Sequence, residues 1–382
     1  MTATKRGNLA ATAVLVAAFA AVCAASQTAR ATIIVTSNGA MQQIYSGAGN
    51  GTTEPGTHVR EHGTLWDAND PTKGIIFFTQ SASSPRSIYR AETSDAGLNW
   101  TTGVDTNLAN PSPASADERN PVVRDFDSDG NFTGFFGSLQ GSGGGPYVPN
   151  QLLFTAASAD TGASWSGESM VTFNTGAFPG HTGLNGFIEI FKTSSGNLRG
   201  YTAMNNITGS PSSATHIVES TDGGATWTDL GNILIDGKNN VIGANGPVFS
   251  FVDDDDGQTK MGWFMFGESA HRGVHLMIST DEGLSWAAHT ALSFSDSSIR
   301  SGDANFISDN LVRLFYYRNT GSLPSDRQLW YEDFTLSGMS NLQPNNLYGA
   351  GSVIPEPASI VLLALGGLAL LFLGRLRLRR RS

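Results

Sequence analysis

Reactive side chains are sparse in this chain. Glu61, Asp67, Glu118, Glu189 and Glu268 are carboxylates that could act as general acid or base, although each reads first as a solvated or turn residue. The turn Asp125-Phe-Asp127-Ser-Asp129-Gly130 has the alternating carboxylates of a calcium loop. Phe136 stands where an EF-hand needs its twelfth-position acid, so the choice is between a looser calcium turn and a plain acidic hairpin. Asp253 to Asp256 form a second acidic turn of this kind. Trp66 and Tyr147 lie in Gly-, Pro- and Asp-rich stretches and are the aromatics best placed to stack on a ligand ring. The other aromatics outside the motif below, such as Trp263, Tyr316, Tyr317 and Trp330, read as core. His58, His62, His271 and His275 lack a zinc-ligand spacing. Gly141-Ser-Gly-Gly-Gly145 is followed by no helical pattern and reads as a flexible loop, not a phosphate cradle.

The elements that must position these groups declare themselves through a repeat. Thr93-Ser-Asp95-Ala-Gly97-Leu-Asn-Trp100 is echoed by Ser158-Ala-Asp160-Thr-Gly162-Ala-Ser-Trp165. Two further copies are Ser220-Thr-Asp222-Gly-Gly224-Ala-Thr-Trp227 and Ser279-Thr-Asp281-Glu-Gly283-Leu-Ser-Trp286. The aspartates are 65, 62 and 59 residues apart, the period of one supersecondary unit. Each copy follows a short apolar run such as Gln151-Leu-Leu-Phe-Thr-Ala, which predicts a hairpin turn between two strands. An aspartate closes such a turn by accepting backbone N–H groups, glycine takes the φ > 0 position, and tryptophan packs back onto the sheet. The motif is a stability device with no chemistry of its own.

The frame [S/T]-x-D-x-G-x-x-W at this spacing resembles the Asp-box (BNR) repeat of the sialidase-like β-propellers, over roughly residues 45 to 338. The resemblance implies an all-β, six-bladed propeller with each box between the third and fourth strands of a blade, on the face away from the active site. Four boxed units, one unboxed unit through Leu311 to Leu336 and a closing strand at Thr32–Val35 or Gln42–Tyr45 give six blades, with five as the alternative count. The propeller is assigned to 32–338 and a linker to 339–354.

The sialidase family holds its substrate carboxylate with three arginines and uses a tyrosine nucleophile, a glutamate that takes its proton and an aspartate acid/base. By position in the pattern Arg60 and Arg272 match two of those arginines. The remaining roles find no residue: Ser83-Ser-Pro-Arg86 offers no acid, Gly183-Leu-Asn-Gly-Phe-Ile no glutamate, and Ala287 to Leu314 no tyrosine. The expected function is therefore binding of extracellular polysaccharide or surface glycans, with Arg60, Arg272, Trp66 and Tyr147 as candidate contacts. An exo-glycosidase acting on acidic sugars is the alternative.

Both ends carry export signals. Lys5 and Arg6, the apolar Leu9–Ala25 and Ala29-Arg30-Ala31 make residues 1–31 a secretory signal peptide. Its Cys23 is the one cysteine of the chain, so the mature protein has neither disulfides nor thiolate chemistry. At the other end, 355–382 combine Pro355-Glu356-Pro357, an apolar run from Ala358 to Gly374 and five arginines. The run is near the minimum that spans a bilayer, and the arginines would hold its end in the cytoplasm. The order of the parts resembles the PEP-CTERM sorting signal, which implies an exosortase as partner, a transient inner-membrane anchor and a final place at the surface or in the matrix of a Gram-negative bacterium. The whole chain carries 23 basic and 33 acidic residues. Without the leader's three basic residues, the tail's five and Glu356, 15 basic residues face 32 acids, a balance near −17. That charge excludes nucleic acid and anionic lipid as ligands and leaves no cofactor implied beyond calcium.

Overall fold

The structure is a computed structural model. It describes residues 34–44, 59–80, 87–108, 117–139, 151–174, 181–206, 213–235, 238–239, 251–253, 260–266, 273–292, 299–308, 310–319, 327–337, 343–344 and 346–349. The signal peptide, the sorting motif Pro355, Glu356 and Pro357 and the apolar run after it lie outside these residues.

Alternating apolar runs and Asp/Gly turns fold into five antiparallel sheets that form a β-propeller. From inner to outer strand, blade 1 is Val59–Asp67, Asp70–Gln80, Ile88–Thr93 and Val104–Asp105. Blade 2 is Asp117–Arg124, Phe132–Leu139, Gln151–Ser158 and Ser166–Met170, and blade 3 is His181–Lys192, Leu198–Asn206, Ser213–Ser220 and Thr226–Asn232. Blade 4 is Phe251–Asp253, Lys260–Phe266, Gly273–Ser279 and Ser285–Leu292. Blade 5 has only three strands of its own, Ile299–Ser308, Leu311–Asn319 and Arg327–Ser337. Its outer edge is supplied by Ile34–Ser37 and Gln42–Gln43 from the start of the chain.

The expected six blades are thus five. The closing N-terminal strand completes the unboxed unit, because an uncovered outer edge at Arg327–Ser337 would leave a row of unpaired backbone groups. The segment 339–354, assigned as a linker, contributes two strands to the ring. Gln343–Pro344 pairs antiparallel with the inner strand of blade 4, and Leu347–Tyr348 pairs parallel with the inner strand of blade 1.

All four boxes form the turns between third and fourth strands and share the same hydroxyl, aspartate and glycine bonds, while the indole N–H bond to the glycine carbonyl is made in three of them. In blade 2, Ser158 Oγ donates to Asp160 Oδ1 (2.8 Å) and accepts Gly162 N–H (2.8 Å), while Asp160 Oδ1 also accepts Ser164 N–H (2.8 Å). Trp165 Nε1 donates to Gly162 O (3.1 Å). The bonds from Ser164 and Ser158 hold the exposed Asp160 carboxyl low, at about 2. The seventh residue takes part as well: Asn99, Ser164 and Ser285 each donate a side-chain bond to the box aspartate.

Each box also reaches the blade before it. Gly97 lies on Phe315, Gly162 on Phe77, Gly224 on Phe135 and Gly283 on Tyr201, each aromatic belonging to the second strand of the preceding blade. A Cβ at Gly224 would stand 2.6 Å from the Phe135 ring. The carbonyl before the glycine is held from the same side. Arg313 donates to Ala96 O (2.9 Å), Arg90 to Thr161 O (2.9 Å) and Arg199 to Glu282 O (2.8 Å). These arginines are themselves paired with Asp333, Glu92 and Glu219. Phe135, Trp227 and Phe187 then close one inter-blade core, with ring centroids 4.8 to 5.9 Å apart.

Blade 3 offers a controlled test, because two adjacent glycines share positive φ (75° and 98°) but only Gly224 touches the next blade. Gly223→Ala is expected to cost about 1–2 kcal/mol of left-handed backbone strain. Gly224→Ala adds overpacking against Phe135 for a further ~1–3 kcal/mol. Urea unfolding of the two variants measures the difference.

Candidate functional site

Hairpin alternation fixes the two ends of the ring. First and third strands of a blade run the same way, so the boxes lie where the inner strands end, and the opposite rim is where they begin. Five inner strands surround the axis: Val59–Asp67, Asp117–Arg124, His181–Lys192, Phe251–Asp253 and Ile299–Ser308.

The box end of the axis is closed by polar groups that satisfy one another. Arg124, last on its strand, meets Glu189 of the next blade in a fully buried pair: Nη2 to Oε2 is 2.6 Å and Nε to Oε1 is 3.0 Å. Arg124 also donates to Val123 O, and Ile190 N–H donates to Glu189 Oε1. Burial pushes the Glu189 carboxyl up from its ordinary 4.5 to about 7; Arg124 pulls it down and the negative charge of Asp303 pushes it further up. On the other side of the axis Asp303 accepts Thr64 N–H and Oγ1 (2.8 Å), Ala304 N–H (2.9 Å) and Asn346 Nδ2 (3.2 Å). Asn346, 1% exposed, donates as well to Ala304 O (2.8 Å) and Thr64 Oγ1 (3.3 Å).

Asn346 reaches that place because the C-terminal segment dips into the ring. From Ser337 at the box end, the chain crosses to Asp253 and Val252 of blade 4. It then returns alongside Trp66 and Asp67 of blade 1, where Trp66 N–H donates to Asn346 O and Ala68 N–H to Tyr348 O. Gly349 N–H ends the strap on Asp125 Oδ2 (3.1 Å), and the Tyr348 ring sits edge-on to Phe132 at 5.6 Å.

Several sequence-stated candidates change meaning against this geometry. Trp66 is no ring-stacking loop residue: it lies on an inner strand, 0% exposed, stacked on Phe315 at 5.4 Å with its Nε1 donating to Thr64. Its indole is the largest apolar group near the closing blade and fills the core there. Glu189 is buried and paired, not solvated. Asp67 lies at the box end, capping its own turn through Asn69 N–H. The aspartates of the acidic turn do not converge. Asp125 accepts Asp129, Gly130 and Gly349 N–H groups, Asp127 pairs with Lys192, and Asp129 accepts both N–H groups of Asn131. Among the described residues no cluster of three or more His, Cys, Asp or Glu is placed to hold a metal ion. Arg60 and Glu118 are each second on an inner strand, at the rim end of the axis. Arg272, Glu268 and Tyr147 lie outside the described residues.

Sequence reasoning passed over Arg124, Asp303 and Asn346. The arginines that hold the box carbonyls left a trace in Arg199-Gly-Tyr201 and Arg313-Leu-Phe315, an arginine two before the inter-blade aromatic.

No protein-family model and no curated protein matches this chain. Solved structures share its fold at low identity. One is a protein of unknown function from Dyadobacter fermentans (11% identical, covering 79% of this chain and 99% of that one, TM-score 0.51). Another is the catalytic domain of a Coprinopsis cinerea GH62 α-L-arabinofuranosidase (12%, 81% and 98%, TM-score 0.50). A third is an exo-β-1,3-galactanase from Clostridium thermocellum (14%, 81% and 65%, TM-score 0.51), of which this chain spans about two thirds. What these structures share with this chain is the β-propeller fold.

The buried pair makes a pH-dependent prediction. Because the folded pKa of Glu189 lies above 4.5, its contribution is fully present below pH 4.5 and is lost as pH rises through about 7. Glu189→Leu alone strands Arg124 and is expected to cost about 3–5 kcal/mol at pH 7, whereas Arg124→Met with Glu189→Leu recovers most of that loss. Chemical denaturation between pH 4.5 and 7.5 should show a flatter stability profile for the double variant than for the native chain.

Proposed function

We propose that the protein is an exported, surface-associated Asp-box propeller that binds glycans of the extracellular matrix and does not cleave them. The observation that carries this reading is the sequence, which offers no tyrosine, glutamate or acid at the sialidase positions, the groups that glycosidic cleavage on that scheme requires. At the box end of the axis, Glu189 is held by Arg124 and Asp303 by Thr64, Ala304 and Asn346, so both serve the ring itself.

Binding is assigned to the rim, where Arg60 begins an inner strand. Arg60 and Arg272 are the guanidinium groups proposed to hold an acidic sugar, with Tyr147 as a stacking partner. The fold is one on which an arabinofuranosidase and a galactanase are built, so sugar ligands suit the scaffold. Export follows from the leader, and surface placement from the Pro-Glu-Pro tail with exosortase as its processing partner.

A glycan array together with fluorogenic sialoside, arabinoside and galactoside substrates separates binding from turnover. The expected outcome is retention on acidic glycans, weakened at least about tenfold by Arg60→Ala or Arg272→Ala through loss of a charge-assisted contact, with no hydrolysis above blank. Hydrolysis that vanishes in Arg272→Ala would establish the exo-glycosidase instead.

A further inference from the structure

Both ends of the ring leave it on the same face. At the start of the chain, Ile34 lies opposite Ser337, the box-end residue of the third strand of blade 5. At the other end, Leu347–Tyr348 run parallel to the inner strand of blade 1 and so travel from rim to box end, and Gly349 is pinned there by Asp125. Neither exit is free to wander. The first is held by a four-residue strand pairing, and the second by Asn346 locked to Asp303, Thr64 and Ala304.

The apolar runs follow these exits closely. Eight residues separate Gly349 from Ala358, where the C-terminal run begins, and they include Pro355 and Pro357. Fully extended, that stretch reaches no more than about 30 Å. The ring itself is about as tall, since the eleven residues Arg327–Ser337 climb roughly 35 Å from rim to box face. A tether this short, leaving from beside the axis and not from one edge, restricts which face can meet the surface it is fixed to.

We infer that the box face is the bilayer-facing side of the protein while its C-terminal run is in the membrane, and that the rim is held away from the lipid. This rests on the reading of that run as a membrane tether. Among its described residues the face carries charge of both signs and no apolar patch to embed: Asp70 pairs with Lys73 and Asp127 with Lys192 in its turns.

Single-cysteine labelling tests the orientation on the chain from Thr32 onward, which holds no native thiol. A donor dye at Leu98→Cys or Leu284→Cys reports the box face, where both leucines are 39% exposed. A donor at Asn319→Cys, the rim end of blade 5, reports the opposite end. The chain is inserted into phosphatidylcholine/phosphatidylglycerol vesicles carrying a headgroup acceptor, and flotation is scored in parallel. Transfer several times more efficient from positions 98 and 284 than from 319 is the expected result. Flotation with equal or reversed efficiencies would overturn the orientation and leave the tether standing. Failure to float would remove the tether and the orientation with it.

Discussion

Where a box glycine meets the aromatic of the preceding blade, two demands fall on one atom position. The turn needs positive φ, and the neighbouring ring needs the space a Cβ would fill; Gly97, Gly162, Gly224 and Gly283 answer both. The residue before each glycine is also left-handed, which aims its carbonyl at the earlier blade, where arginine receives it in three of the four junctions. A motif that is local by its hydrogen bonds is therefore long-range in its effect. It sets the angle and spacing between sheets, and a ring closes only if those angles agree all the way round.

The junction into blade 1 shows how closure is secured. Blade 5 has no box of its own and no fourth strand in sequence, so the start of the chain supplies the strand and the end of the chain supplies an axial strap. Trp66, Trp100 and Phe315 fill the seam between first and last blades. Charge burial at the axis has the same logic. Arg124 with Glu189, and Asp303 with its four donors, are removed from water only because inner strands of different blades bring complete partner sets together. The box end of the ring is thus built for stability.

Much of this was legible beforehand. The boxes predicted the hairpin positions, the glycine conformation and the back-packing tryptophan, because those depend on residues within eight positions of one another. Trp66 misled because its flanking Gly, Asp and Pro look like a loop, while the register that buries it is set by Gly74 across the hairpin and by Phe315 and Leu347, far away in the chain. The stretch Gln343–Tyr348 misled in the same way. Its Asn- and Pro-rich composition reads as a linker, yet Asn346 is buried because Asp303 needs a donor at the axis. The blade count failed for want of one fact, namely which sheet would accept the N-terminal strand.

The amino-acid sequence by itself determined the all-β class, the repeat, the turn chemistry and the expectation of an exported chain, since each is carried by short-range pattern or composition. Tertiary structure alone decided that five blades close the ring, that the box glycines serve as inter-blade contacts, and that Glu189 meets Arg124 and Asp303 meets Thr64 and Asn346. The reason is distance along the chain: these contacts join residues some 65 to 280 positions apart, and nothing local distinguishes a carboxylate that will find an arginine from one that will face water.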